Sequence, residues 1–242
     1  MSHQSLLDVD DLTVSIDRAT VLEDVSIRVE AGETVALIGR NGAGKTTTFR
    51  SVMGQTSIRN GSIRVNGTDL TDRPSRERIR HGVGFAPEDR RLFTTLSVED
   101  NLRMSTWGKA DTDEDGFRER RDRVLEIYPE MEAFLDRPAG QLSGGQQKMV
   151  TVGRALTSDP DIVLLDEPFE GLAPSVREQF RDGVTRIKDL GISIVVAESN
   201  VRHAAEIADR AYVIERGEIV TEIGRDEPIT ENEEIERIFE GG

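Results

Sequence analysis

Gly39-Arg40-Asn41-Gly42-Ala43-Gly44-Lys45-Thr46-Thr47 fits the pattern G-x-x-x-x-G-K-[ST] residue for residue. Glycines at 39, 42 and 44 let the main chain bend tightly and bring successive N–H groups onto phosphate oxygens at a helix N-terminus, where the helix dipole also favours negative charge. Lys45 would reach the β- and γ-phosphates of a nucleoside triphosphate, and the Thr46 hydroxyl would ligate Mg²⁺. Further along, Ile162-Val163-Leu164-Leu165-Asp166-Glu167-Pro168 is an apolar run that ends in two adjacent carboxylates. Asp166 would hold Mg²⁺ through its water shell, and Glu167 would orient or deprotonate an attacking water. In a third stretch, Leu142-Ser143-Gly144-Gly145-Gln146-Gln147-Lys148, two glycines follow a cap-forming serine and precede helical sequence. Free N–H groups there make a second anion-binding end. One γ-phosphate does not easily use both ends in cis, so the sequence implies a head-to-tail dimer in which each serine-glycine end closes the other subunit's site.

These positions need strands and helices to hold them. Thr34-Val35-Ala36-Leu37-Ile38 reads as a strand before the first motif, and Thr47 to Met53 reads as a helix after it. Residues 5 to 30 read as antiparallel strands, with alternation in Leu12 to Ile16 and in Val25 to Val29, then a turn at Glu30-Ala31-Gly32-Glu33. Ser62 to Gly67 is a further strand ending in an Asn-Gly turn, and Val83 to Pro87 is another, ending at Glu88. Ser97-Val98-Glu99-Asp100 resembles a capping box. From about 97 to 153 the sequence is charged and helix-forming, with the acidic loop Asp111 to Gly116. Strand patterns return at Asp161 to Asp166, Ile192 to Ala197 and Ala211 to Ile214, and their alternation with helical stretches predicts a parallel sheet. In the tail, Ile235, Ile238 and Phe239 stand at helical spacing, as a docking face. The expected fold is one α/β domain over residues 1–242. Residues 1–96 and 154–242 form a core with a mostly parallel sheet and an N-terminal antiparallel β subdomain. Residues 97–153 form an inserted helical subdomain.

Bulk properties narrow the function. The net charge of −15 argues against nucleic acid as a partner, and 27 of the 31 basic residues are arginine, an acidic and lysine-poor balance expected of a salt-adapted cytoplasmic protein. There is no cysteine, which fits a reducing compartment and leaves no thiolate metal site. The start, Met1 to Asp8, lacks a basic region followed by a long apolar segment, so no signal peptide is expected. The longest apolar runs fall far short of the roughly 18 residues of a membrane span. If the protein works at a membrane, another chain spans it.

The three motifs, in this order, resemble the ATP-binding subunit of ABC transporters, and the resemblance covers nearly the whole chain. It implies a P-loop NTPase core, ATP and Mg²⁺ as cofactors, and Ser143, Gly144, Gly145 and Gln146 acting in trans on the partner's ATP. More narrowly, Pro87-Glu88-Asp89-Arg90-Arg91-Leu92-Phe93, Glu170-Gly171-Leu172-Ala173-Pro174 and Ala197-Glu198-Ser199-Asn200 look like the ATPase of branched-chain amino acid importers. Urea and short-amide importers carry similar segments. The implied partners are membrane permease subunits, a second ATPase chain (an identical copy or a related paralogue) and, indirectly, a periplasmic or extracellular substrate-binding protein. The implied location is the cytoplasmic face of the cell membrane. A soluble ATPase of the same family and a regulatory subunit that binds nucleotide but barely hydrolyses it are alternatives.

Three positions depart from the family pattern. No aromatic residue precedes Phe49, and Ile16 falls where most members stack adenine on a ring. Glu88 replaces the usual glutamine near Mg²⁺ and the attacking water, where a carboxylate can ligate the metal but brings charge. Ser199 falls on the switch histidine and can donate to the γ-phosphate without carrying imidazole's charge. His203, four residues on, reads as a solvated helix residue. The family places a permease helix in a groove beside Glu88, and Leu92, Phe93 and Leu96 are candidates to line it.

Overall fold

The computed structural model describes residues 5–108 and 113–239. Met1 to Gln4 of the start, and Asp111 and Thr112 of the acidic loop, lie outside the described residues. The chain opens with β1 (Ser5–Ile16) and β2 (Ala19–Glu30), and β3 (Thr34–Ile38) then runs into α1 (Lys45–Val52). Strands β4 (Ile58–Val65) and β5 (Thr68–Asp69), helix α2 (Ser75–Arg80) and strand β6 (Val83–Ala86) follow. Helices α3 (Val98–Met104), α4 (Glu114–Ile127) and α5 (Gly144–Leu156) come next with no named strand between them among the described residues. The chain then alternates through β7 (Ile162–Asp166), α6 (Pro174–Asp189), β8 (Ser193–Glu198) and α7 (Val201–Ala205). It closes with β9 (Arg210–Glu215), β10 (Glu218–Ile223) and α8 (Glu233–Phe239).

The first sheet is antiparallel, ordered β2-β1-β4-β5. Asp17 and Arg18 join β1 to β2 with both residues at positive φ, and Asn66-Gly67 does the same between β4 and β5. Mirror-image turns of this kind match the right-handed twist of the strands they connect. The second sheet is ordered β10-β9-β3-β8-β7-β6. Its five strands from β9 to β6 are parallel, and β10 adds to β9 antiparallel. Strand β10 is absent from the sequence reading, because Glu218, Thr221 and Glu222 break up its apolar residues. It lies at the sheet edge, after the tight turn Arg216-Gly217.

Residues of β3, β7 and β8 are buried throughout, as expected where both faces of a parallel sheet are covered. Alternate side chains serve different cores. Val35, Leu37, Leu164 and Val195 face the antiparallel sheet and Phe49 of α1. Ala36, Ile38, Leu165 and Val196 face the helices, among them Phe117, Tyr128, Met149 and Phe180. Ile235 and Ile238 of α8 join this second core, which is the docking face the tail spacing predicts. At the far end of α1, the buried Arg78 guanidinium donates to Ser51 O and Val52 O, each at 2.8 Å, and to Thr71 O and Arg73 O. It thereby satisfies carbonyls that a helix C-terminus leaves without partners.

The two serine caps differ in a way their sequences explain. Ser97 Oγ accepts the Asp100 N–H at 3.0 Å, but the Asp100 carboxylate accepts the Ser97 hydroxyl rather than a main-chain N–H. The box expected there is thus half formed, because Asp is one methylene shorter than the Glu or Gln the motif uses. Ser143 and Gln146 make the full reciprocal pair.

Candidate functional site

The carboxyl ends of the parallel strands lie side by side, with Ile38 opposite Glu198, Asp166 opposite Ala197 and Ala86 opposite Leu165. Ligands bind at this edge in open α/β sheets. The loop after β3 bends through Gly42 at φ 83° and Gly44 at φ 119°. A Cβ at Gly39 would stand 2.5 Å from Ile214 O, so the loop passes where no side chain fits. No side chain caps α1, which leaves its first N–H groups to a ligand. Lys45 is 5% exposed. Its Nζ donates to Gly39 O at 2.6 Å and Arg40 O at 3.3 Å, and lies 3.1 Å from Glu167 Oε1. Arg40 contributes main chain to the loop, while its side chain reaches Ile238 O in α8 at 3.4 Å.

A cleft of about 330 Å³ runs between this loop and the carboxylates, with residues 41, 42 and 44–47 on one side and Glu88, Glu167 and Glu170 on the other. Asp166 is 2% exposed, and its Oδ1 accepts the Thr46 hydroxyl at 3.3 Å. Burial pushes its pKa up to about 6 against the pull of Thr46 and Lys45. Asp166 Oδ2 is buried with no hydrogen-bond partner among the described residues. An orphaned carboxylate oxygen beside a threonine hydroxyl at a phosphate loop is a donor set that suits Mg²⁺, a hard cation that takes a few oxygens and completes its shell with phosphate and water. Burial, followed by a hydrogen bond shared with the Glu170 carboxyl, raises the Glu88 pKa above the ordinary carboxylate range. Glu170, read from sequence only as part of a family segment, is therefore part of the cleft. So is Val21 of β2. Ile16, the candidate for contact with the base, ends β1 with 45% exposure and does not line the cleft.

Glu167 adopts a left-handed conformation at φ 46°. Its N–H donates to Ala197 O at 3.0 Å, and its Oε2 accepts both the Ser199 N–H and the Ser199 hydroxyl at 3.2 Å. Ser199, expected to face phosphate, thus holds the carboxylate that would activate water. Next to it Glu198 is buried, its Oε1 accepting the Phe169 N–H at 3.2 Å, and burial reinforced by the Glu167 charge pushes its pKa up to about 8. His203 corrects the sequence reading. It is half-buried rather than solvated, with its ring 5.4 Å from that of Phe169, Nε2 3.0 Å from Arg177 Nη1 and Nδ1 3.9 Å from Glu198 Oε2. Burial and the Arg177 charge lower its pKa. Asn200 caps α7 by accepting the N–H groups of Arg202 and His203, which starts the helix where residue 203 turns inward.

Ser143 and Gly144 are exposed at the start of α5, and none of residues 143–146 lines the cleft. A Cβ on Gly145 would meet Val176 Cγ1 at 2.6 Å, which pins this end of α5 against α6. Within one chain the start of α5 takes no part in the cleft at the glycine-lysine-threonine loop. Of the proposed groove residues, Phe93 is 48% exposed. It borders an apolar groove of about 310 Å³ with Met53, Ile79, Phe85 and Met104. Leu92 packs in part against the helical core and lines a separate cavity of about 560 Å³ that includes Glu88, and Leu96 lines neither.

Residues 22–170 match the family model described as ABC transporter. The chain is 40% identical over 215 residues to the high-affinity branched-chain amino acid transport ATP-binding protein BraG of Pseudomonas aeruginosa, covering 89% of this chain and 91% of that one. It is 34% identical over 223 residues to the lipopolysaccharide export system ATP-binding protein LptB of Escherichia coli, covering 91% of each. Among solved structures it resembles the ADP conformation of MJ1267, an ATP-binding cassette of an ABC transporter. The TM-score is 0.84 at 26% identity, over 99% of this chain and 100% of that one.

Proposed function

The chain belongs to the ABC transporter family, and from that membership we propose that it is the ATP-hydrolysing subunit of an importer for branched-chain or related amino acids. The observation that carries the hydrolytic part is the orphaned Asp166 Oδ2 beside Thr46, with Glu167 held across the cleft from the phosphate loop. Thr46 and Asp166 would hold Mg²⁺, with Glu88 as a further candidate ligand, and the ion would offset charge on the phosphates when bound. Lys45 gives up its ion pair with Glu167 to contact the β- and γ-phosphates. Glu167 then orients a water and takes its proton, held by Ser199. Ser143, Gly144 and Gly145 of a second copy, or of a related chain, complete the site from the far side, consistent with their place outside the cleft of their own chain.

Similarity to BraG supports amino-acid import, and similarity to LptB supports lipopolysaccharide export as the second reading. Among the described residues no helix is long and apolar enough to cross a membrane. The exposed Phe93 and its apolar groove are the surface on which a permease helix would seat, holding the subunit at the cytoplasmic face.

Mg²⁺-dependent ATP turnover in molar salt, compared between wild type and Glu167→Gln with dimer formation scored in the same samples, tests the site. Loss of about 100-fold or more in turnover, with ATP now trapping a dimer, is expected for a residue that acts on the water. Wild-type turnover in the variant refutes the assignment of Glu167. Co-purification with an amino-acid permease, or with a lipopolysaccharide exporter, separates the two transport readings.

A further inference from the structure

Lys148 lies on the inward face of α5 and is 6% exposed. Its Nζ donates to the main-chain carbonyl of Glu167. Glu167 and Glu170 face it from the loop after β7, Glu198 from the end of β8 and Arg90 from the loop after β6. Burying an ammonium is costly and lowers the Lys148 pKa, and the Glu167 carbonyl with the nearby acidic groups offsets part of that cost. The group it holds is itself strained. A non-glycine residue in the left-handed region lies above its ordinary conformations and persists only where its surroundings over-determine it.

The holds on Glu167 come from distinct places. Its N–H is taken by Ala197 O at 3.0 Å, and its carbonyl accepts the Glu170 N–H at 3.2 Å. Both of these partners lie at the carboxyl edge of the sheet or in its adjoining loop. The carboxylate is held by Ser199 and by Lys45, yet Lys45 is the group that must turn to phosphate when nucleotide arrives. Lys148 lines the adjoining cavity rather than the cleft itself, so nucleotide in the cleft would leave its bond to the Glu167 carbonyl in place. It is also the hold that comes from the helical segment.

We infer that Lys148 is a positioning residue for hydrolysis, fixing the left-handed main chain of Glu167 so that its carboxylate faces the cleft. This rests on the reading of Glu167 as the residue that activates water. Lys148 follows Ser143, the N-cap of the same helix, by five residues, about 7.5 Å at 1.5 Å per residue. A shift of the exposed end of α5, where a second copy's phosphates would bind, is thereby delivered to Glu167 of the same chain.

The full-length Lys148→Met, Lys148→Gln and Lys148→Arg variants test this by steady-state ATPase kinetics in molar salt, with binding of a fluorescent ATP analogue and a thermal melt for each. Met removes donor and charge at similar length, Gln keeps a shorter neutral donor, and Arg keeps both donor and charge. The expected result is a loss of about tenfold or more in kcat for Lys148→Met, with KM and analogue affinity within about twofold, the pattern of a group that matters in the transition state alone. Arg should restore most of the rate. Should the Met variant fail to fold, the Gln variant carries the same expectation. Turnover within twofold of wild type in a folded Met or Gln variant, while Glu167→Gln is inactive, overturns the inference. So does an equal loss in Arg and Met, which marks a packing role. Wild-type turnover in Glu167→Gln would instead remove the underlying reading of Glu167.

Discussion

Ser199→Ala removes the hydroxyl that donates to Glu167 Oε2 and leaves the Ser199 N–H on the same oxygen, both at 3.2 Å. A hydrogen bond to a charged group is worth about 1.5–3 kcal/mol net. The 3.2 Å length, the partial exposure of Ser199 and the surviving N–H bond place this one at the bottom of that range. About 1.4 kcal/mol is a factor of roughly ten in rate where the bond's hold on Glu167 is needed in the transition state and not in the bound ground state. The hydroxyl touches Glu167 rather than the phosphate loop, so the loss should fall on kcat, with KM and nucleotide affinity within about twofold. Ser199→Thr keeps the hydroxyl and should keep most of the rate. Steady-state kinetics of both variants, with binding of a fluorescent ATP analogue, separate two roles. If the analogue's Kd rises about tenfold while kcat is unchanged, the hydroxyl acts on the γ-phosphate and its contact with Glu167 has no part in the rate.

Two further substitutions test the surroundings. Glu198 keeps its proton in the folded protein up to a pH of about 8, whereas the unfolded chain releases it near the ordinary value of roughly 4.3. Between those values the folded state binds more protons, so this group lowers stability as pH rises. Glu198→Gln retains an oxygen for the Phe169 N–H and removes that penalty. Urea unfolding should show the variant gaining about 1–3 kcal/mol on wild type from pH 5 to pH 8, and an equal difference at both pH values would refute it. At Gly183 in α6, a Cβ would stand 2.3 Å from Cε1 of the fully buried Tyr128. Gly183→Ala should therefore destabilise by about 1–3 kcal/mol despite alanine's better helix propensity. Each kcal/mol should lower Tm by about 2–4 °C, and an unchanged or raised Tm refutes the clash.

The contiguous parts of the site were legible from sequence, because their chemistry is written in adjacent residues. A glycine-bent loop before a lysine and threonine, and a wholly apolar strand ending in two acids, can each be read without knowing what lies beside them. What escaped depends on neighbours far along the chain. Glu170 and Val21 enter the cleft because of where their loop and hairpin are carried. Lys148 looks like any helix lysine until the helix is rotated against β7. His203 reads as solvated from sequence because spacing shows a shared face but not which face is covered, and Phe169 and Arg177 cover it. Ile16 is placed by resemblance to a family position, and the structure sets it at an exposed hairpin tip outside the cleft.

The buried Arg78 also bears on the order in which the protein becomes competent during synthesis. Residues 39–47 of the glycine-lysine-threonine loop leave the ribosome together, yet the helix they begin has its terminal carbonyls met by a guanidinium from α2. The strand they follow is hydrogen-bonded on its two sides by β8 and β9. A nascent chain halted after α5 would carry the entire glycine-lysine-threonine motif on a strand with neither of its sheet neighbours, and without Asp166 or Glu167. A nucleotide site that needs those strands would therefore be completed only near the end of translation, and a ligand that stabilises the finished fold would give little protection to the growing one.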